Sequence, residues 1–182
     1  MHVKAIETAY KGYRFRSRLE ARWAVFFDAL GIEWQYEPEG FELPDGTRYL
    51  PDFFLPKFDG GTWVEIKPTP GAEAKALAFA KAATGRFQIV LGPPDHREYA
   101  LWASEYVEED AYIPVGESHA GGEAPTPFCF RHRGNGPQLW VFHDQADANG
   151  QIPLEYVDRP VLRAIYAARS ARFEFGESGA PG

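Results

Sequence analysis

A single cysteine, Cys129, in 182 residues excludes a disulfide within the chain. A reducing compartment suits such a sequence, and the small disulfide-stapled folds of secreted proteins are ruled out. Long apolar runs are missing as well. None approaches the roughly 20 residues that a membrane helix needs, and MHVKAIETAY at the start has no apolar stretch of signal-peptide length. A soluble, cytoplasmic protein without a membrane partner is therefore expected. No glycine-rich phosphate loop is present, since GPP and GESHAGGE fit none of the nucleotide-binding spacings. The chain has no internal repeat and no low-complexity tract. It also lacks the excess of positive charge that marks a simple nucleic-acid binder, because its net charge is −7.

That charge is unevenly spread. Residues 1–102 hold 13 of the 19 Lys and Arg and 14 of the 26 Asp and Glu, so residues 103–182 carry most of the negative excess. Within residues 1–22 the balance reverses, with Lys4, Lys11, Arg14, Arg16, Arg18 and Arg22 against Glu7 and Glu20. A solvated face accounts for such runs as readily as a binding surface does. What the chain has in quantity is apolar: 45% hydrophobic and 15% aromatic residues, enough to bury the core of one domain with an elaboration.

The first helix is marked at both ends. Ser17 is a natural N-cap and Gly31 a natural stop, and Leu19, Trp23, Phe26, Phe27 and Leu30 recur between them at helical spacing. IEWQYEPEGF alternates as a strand up to Pro38, LPDG at 43–46 is a turn, and strands are expected near 47–55 and 62–67. The Ala-rich stretch 73–84 reads as a helix and FQIVLG at 87–92 as a buried strand. Further on, HREYALWASEYV is expected to be helical and YIPVG extended. Residues 105–123, with acids and no Lys or Arg, read as an exposed loop, and FCFRHR and LWVFH flank GNGP as a hairpin. Asp158 is placed to cap a last helix with Leu162, Ile165, Tyr166 and Phe173 on one face, and GESGAPG is expected to fray. The division is a unit over 1–102 with a basic N-terminal arm, and an acidic C-terminal elaboration over 103–182.

Charges interrupt the two most apolar strands. In YLPDFFLPKFDGGTWVEIKP, Asp52 breaks the first run, and Glu65 and Lys67 break the second. Strand alternation puts Glu65 and Lys67 on one face and Val64 and Ile66 on the other. A hairpin pivoting near residues 59 and 60 sets Asp52 opposite Lys67 and diagonal to Glu65, all on that face. Two facing carboxylates repel, and a hard divalent cation resolves the conflict. Magnesium or manganese suits two carboxylates and a backbone oxygen, such as the Ile66 carbonyl, because it keeps several waters. Lys67 then steers a bound water or neutralises charge on a phosphate. A plain Lys67–carboxylate ion pair is the rival, and either motif alone would carry little information. On consecutive strands at matching parity, they favour the metal site.

Pro51-Asp52 followed by Glu65-Ile66-Lys67, with Glu20 on the preceding helix, resembles the PD-(D/E)xK nuclease superfamily. FRSRLEARW through YLPDFFLP to VEIKP is similar to its phage-encoded and transposase-associated members, over roughly residues 14–91. The resemblance implies an α/β, restriction-endonuclease-like core of helix, three-stranded meander, helix and strand, with an appended C-terminal α+β region. It implies Asp52 and Glu65 as metal ligands, Lys67 as the catalytic lysine and Glu20 as the helix acid. The activity implied is a metal-dependent DNA endonuclease, a phosphodiester hydrolase leaving 5′-phosphate ends. A catalytically silent module in a DNA-processing assembly and an acidic interaction protein are the alternatives. A protein docked on the C-terminal region and a second copy of the chain are further partners this reading admits.

Three groups remain. Lys11, Arg14, Arg16 and Arg18 are the candidate DNA contacts; their alternation with Tyr10, Tyr13 and Phe15 suits a nucleic-acid strand and a packed arm equally. Cys129, His132 and His143 are too scattered for structural zinc, His96 and His119 stand alone, and Trp23, Trp34 and Trp63 read as core. Ser17 and Glu20 have the spacing of a capping box, which competes with the active-site reading of Glu20.

Overall fold

The structure, a computed structural model, describes residues 5–58, 60–69, 74–82, 86–95, 99–103, 126–133, 136–140, 152–173 and 180–181. It opens on a hairpin, strands β1 (Thr8–Tyr10) and β2 (Tyr13–Phe15), joined at Lys11 and Gly12. Both joining residues have positive φ, 47° and 83°. That is the two-residue turn whose twist matches paired strands. The arm is therefore packed: Phe15 is fully buried and stacks on Phe53 at 6.0 Å and tilts against Tyr36 at 4.4 Å.

Helix α1 (Arg18–Leu30) begins and ends where its caps predict. Ser17 Oγ accepts the Glu20 N–H, and Gly31 closes the helix at φ 75° with its N–H on the Phe27 and Asp28 carbonyls. β3 (Gln35–Tyr36) follows, then a ribbon of β4 (Phe41–Glu42) and β5 (Arg48–Tyr49), then β6 (Phe53–Leu55), β7 (Thr62–Lys67), α2 (Ala74–Ala82) and β8 (Arg86–Leu91). The strand expected across IEWQYEPEGF is short because Glu37, at φ 44°, and Pro38 end it. The 43–46 turn is present, with the Gly46 N–H on the Leu43 carbonyl at 2.8 Å.

The remaining strands, β9 (Tyr99–Ala103), β10 (Thr126–Arg133) and β11 (Gly136–Trp140), complete a seven-stranded mixed sheet in the order β11-β10-β9-β8-β7-β6-β3. β7 and β8 run parallel across the α2 crossover, and the other pairs are antiparallel. The protein is thus mixed α/β. β10 and β11 form the hairpin expected around GNGP. Residues 99–103, expected to be helical, pair with β8 and β10 instead. Helix-forming residues yield there to two hydrogen-bonding neighbours, since strand preference follows context.

The sheet separates two cores. On one face Phe53, Leu55, Val64, Ile66 and Val90 pack under α1 and α3 (Arg159–Ser170); on the other, Phe87 and Ile89 meet Phe79 of α2 and Leu43 and Tyr49 of the ribbon. Helix α3 buries Val161, Ala164, Ile165 and Ala168, while Tyr166, assigned to that face from the sequence, is exposed. Arg22 of α1 donates to the carbonyls of Ala168 (3.0 Å) and Arg169 (2.6 Å), closing the C-terminus of α3. Burial, then the charges of Arg18 and Arg169, lower the pKa of that guanidinium. The division drawn at 102/103 falls inside β9, and Val161, Ala164, Ile165, Ala168, Ala171 and Phe173 share the core of α1. Near the C-terminus, β12 (Ala171–Arg172) pairs with β13 (Ala180–Pro181). The 105–123 segment, YIPVG, His96, His119 and His143 lie outside the described residues. Among the described residues, no helix is long and apolar enough to cross a membrane.

Candidate active site

β6 and β7 set the site. Their register is Phe53↔Val64, Phe54↔Trp63 and Leu55↔Thr62, so its continuation puts Asp52 across from Glu65. The register expected from the sequence is off by two residues, and that even slip preserves every side chain's face. The turn accounts for the difference. It uses Phe58 N–H on the Leu55 carbonyl and Gly61 N–H on the Phe58 carbonyl, where the sequence reading had placed the pivot at 59 and 60.

Asp52 is 3% exposed and Glu65 4%. Asp52 Oδ2 accepts the Ile66 N–H at 2.7 Å, and Oδ1 accepts Arg16 Nη2 at 2.7 Å. An extended residue directs its N–H and C=O to the same side of its strand, which turns the Ile66 carbonyl towards Asp52 as well. Burial first, then the charges of Glu65 and Glu20, push the Asp52 carboxyl well above the usual carboxylate range; the Ile66 N–H and Arg16 oppose this without cancelling it. Glu65 Oε1 is paired with Lys67 Nζ. Its Oε2 is buried without an aligned hydrogen bond, and the hydroxyl of Tyr49 on β5, likewise unaligned, is the donor within reach of the Glu65 carboxylate. Burial, followed by the Glu65 charge, raises the Tyr49 phenol and keeps it protonated. Beyond Tyr49 a cavity of about 440 Å³ opens, lined by Gly40, Phe41, Glu42, Arg48 and Leu50.

Glu20 sits behind this pair with its oxygens taken. Oε1 accepts the Ser17 hydroxyl at 2.7 Å; Oε2 accepts the Tyr36 hydroxyl at 2.6 Å and the Arg16 N–H at 3.1 Å. With the Glu20 N–H on Ser17 Oγ at 3.2 Å, this is a capping box displaced by one residue, since Glu20 reaches the amide before the cap rather than the cap's own. Its charge still acts on Asp52.

The expected DNA contacts divide. Lys11 is paired with Asp28 at 2.9 Å, and Arg14, 80% exposed, with Glu7 at 2.7 Å. Arg18 is exposed and makes no ion pair among the described residues. Arg16 lies over the acidic site between Asp52 and Glu37, an arrangement the sequence reading did not foresee. Tyr36, Glu37 and Tyr49 were missed altogether. The one signal available was Glu37-Pro38 inside a strand pattern. Cys129 and His132 lie on β10, away from Asp52 in sheet order.

The donor set fits a hard divalent cation. Two buried carboxylates on adjacent strands and a carbonyl turned the same way suit an ion that keeps much of its water. Among the described residues, no three His, Cys, Asp or Glu side chains gather as a metal-binding group. In comparisons with protein-family models, curated proteins and solved structures, nothing matches this chain.

Proposed function

We propose that the chain is a divalent-metal-dependent DNA endonuclease with a restriction-endonuclease-like core of the PD-(D/E)xK type. The observation that carries the reading is the side-by-side burial of Asp52 and Glu65 with Lys67 on the Glu65 face. Burying two carboxyl groups side by side, which pushes one of them well above the usual carboxylate range, is costly for stability alone. The succession of α1, the strands β3, β6 and β7, α2 and β8 supports the same reading, with the β4–β5 ribbon inserted in the meander.

Asp52 and Glu65 would hold the ion, and the Ile66 carbonyl could add an oxygen. Magnesium or manganese, when bound, supplies charge to polarise the phosphodiester and to acidify a water. Lys67, on the Glu65 carboxylate and 21% exposed, orients that water or meets charge on the phosphate. Attack of a water on phosphorus with departure of the 3′ oxygen would give 5′-phosphate and 3′-hydroxyl ends. Glu20 contributes a negative field and the fixed start of α1. Arg14 and Arg18, at the exposed basic end, hold backbone phosphates; an exposed pair such as Arg14–Glu7 yields readily to them.

The Arg16–Asp52 ion pair favours the second reading, a silent nuclease-fold module, because it already neutralises one ligand. Cleavage of plasmid, single-stranded and branched DNA with Mg²⁺ or Mn²⁺ separates the two. Cutting that stops in chelator supports the enzyme, and no cutting of any substrate with either ion supports the silent module.

A further inference from the structure

Arg16 reaches Asp52 through a side chain that is 56% exposed. More than half of it meets solvent, and the Tyr36 hydroxyl is its neutral partner beside the carboxylates. Its backbone, in contrast, is fixed. The Arg16 N–H is shared between Glu20 Oε2 and the Tyr36 hydroxyl, each at 3.1 Å, and the preceding Phe15 is fully buried.

The guanidinium has two carboxylates to choose between. Nη2 bonds Asp52 Oδ1 at 2.7 Å, while Nε lies 2.6 Å from Glu37 Oε1. The second contact is an ion pair without an aligned hydrogen bond, since Glu37 Oε1 has no hydrogen-bond partner. Glu37 is held in place at some cost. Its φ of 44° is the left-handed region that side chains avoid, and its N–H is on the Asp52 carbonyl at 2.9 Å. Strain of this kind persists where the surroundings impose it, and it gathers at working sites.

Asp52 has little left to offer a cation. Oδ2 is used by the Ile66 N–H and Oδ1 by Arg16. Of these two donors, only Arg16 is on a side chain that can move. We propose that Arg16 is the built-in counter-ion of the metal-free site: it holds Asp52 Oδ1 until a divalent cation takes that oxygen, and Glu37 then keeps the guanidinium at the rim. This rests on the metal site proposed above. Held there, Arg16 has further N–H donors for a phosphate oxygen.

The test is Mn²⁺ affinity by calorimetry on the full chain, with thermal melting in chelator alongside. Arg16→Gln should bind Mn²⁺ at least tenfold more tightly than the parent, about 1.4 kcal/mol, and melt lower without metal. Arg16→Lys, which keeps the charge and loses the fork, should fall between them and serves if the first variant does not fold. Glu37→Gln should weaken binding in the parent and change it less in the Arg16→Gln background, as a double-mutant cycle reads coupling. Equal or weaker binding by Arg16→Gln overturns the proposal, as does a Glu37→Gln effect of the same size in both backgrounds. Parent binding that Asp52→Asn abolishes upholds the metal site even if Arg16 proves inert. No Mn²⁺ bound by any variant overturns both.

Discussion

Replacing Glu65 by Gln should make the metal-free protein more stable while removing its metal site. Glu65 is 4% exposed, and Oε2 makes no aligned hydrogen bond. An unsatisfied buried polar atom costs about 1–3 kcal/mol, and more when charged. The neutral amide ends the repulsion with Asp52 and puts an N–H₂ where the Tyr49 hydroxyl can accept from it. Against this, the bond from Lys67 Nζ loses its ionic partner, a change of about 1 kcal/mol from a charge-assisted to an ordinary hydrogen bond. The net expectation is a gain of about 1 kcal/mol, or roughly 2–4 °C in Tm for a chain of this size. Thermal unfolding in chelator reads it directly. Mn²⁺ at a hundred times its Kd should then stabilise the parent by about 2.7 kcal/mol and leave Glu65→Gln where it was. A variant that melts below the parent in chelator would refute the reasoning, because Glu65 would then be a structural ion-pair partner of Lys67 and nothing more.

Ser17→Ala should cost about 1 kcal/mol of stability, and Glu20→Gln a similar amount, with Mn²⁺ affinity within about threefold of the parent (roughly 0.65 kcal/mol) in both. A large loss of affinity in Glu20→Gln alone would move Glu20 from cap to ligand. Arg14→Ala and Arg18→Ala should each flatten the dependence of log DNA affinity on log salt by about 0.9; unchanged slopes would place the footprint elsewhere. The raised Asp52 pKa sets the pH dependence. The folded chain keeps a proton that the unfolded chain has lost, so this group's contribution to stability is greatest below the unfolded carboxylate pKa near 4 and falls as pH rises towards the folded value. Mn²⁺ affinity should climb over the same range, since the ion binds only the ionised carboxylate, and Asp52→Asn should flatten both curves.

Some of this was legible in the sequence because it is local. Ser17 and Gly31 bound α1 through groups one turn away, and GNGP announced the β10–β11 hairpin. The parity of Asp52, Glu65 and Lys67 survived an error of two in register because strand alternation depends only on odd or even spacing. The first hairpin could have been read too. Lys11-Gly12 between Tyr10 and Tyr13 has the glycine that a positive-φ turn requires, while the alternation of basic and aromatic residues suits a packed arm and a binding arm equally. β9 was out of reach, since its helix-forming residues are held extended by neighbours on either side. Arg16, Tyr36 and Glu37 meet Asp52 and Glu20 only through tertiary packing, with Phe15 stacked on Phe53 bringing Arg16 to the site. No spacing along the chain encodes that meeting.

The account's central claim is tested most directly by the initial rate of supercoiled plasmid nicking with Mg²⁺, compared between the parent and Asp52→Asn, each shown to be folded by circular dichroism. The account predicts nicking by the parent that stops in chelator and returns with added ion. It predicts a loss of at least about a hundredfold in Asp52→Asn, about 2.7 kcal/mol in the barrier. Nicking that persists in chelator, or an Asp52→Asn variant that cuts at the parent rate, would contradict it.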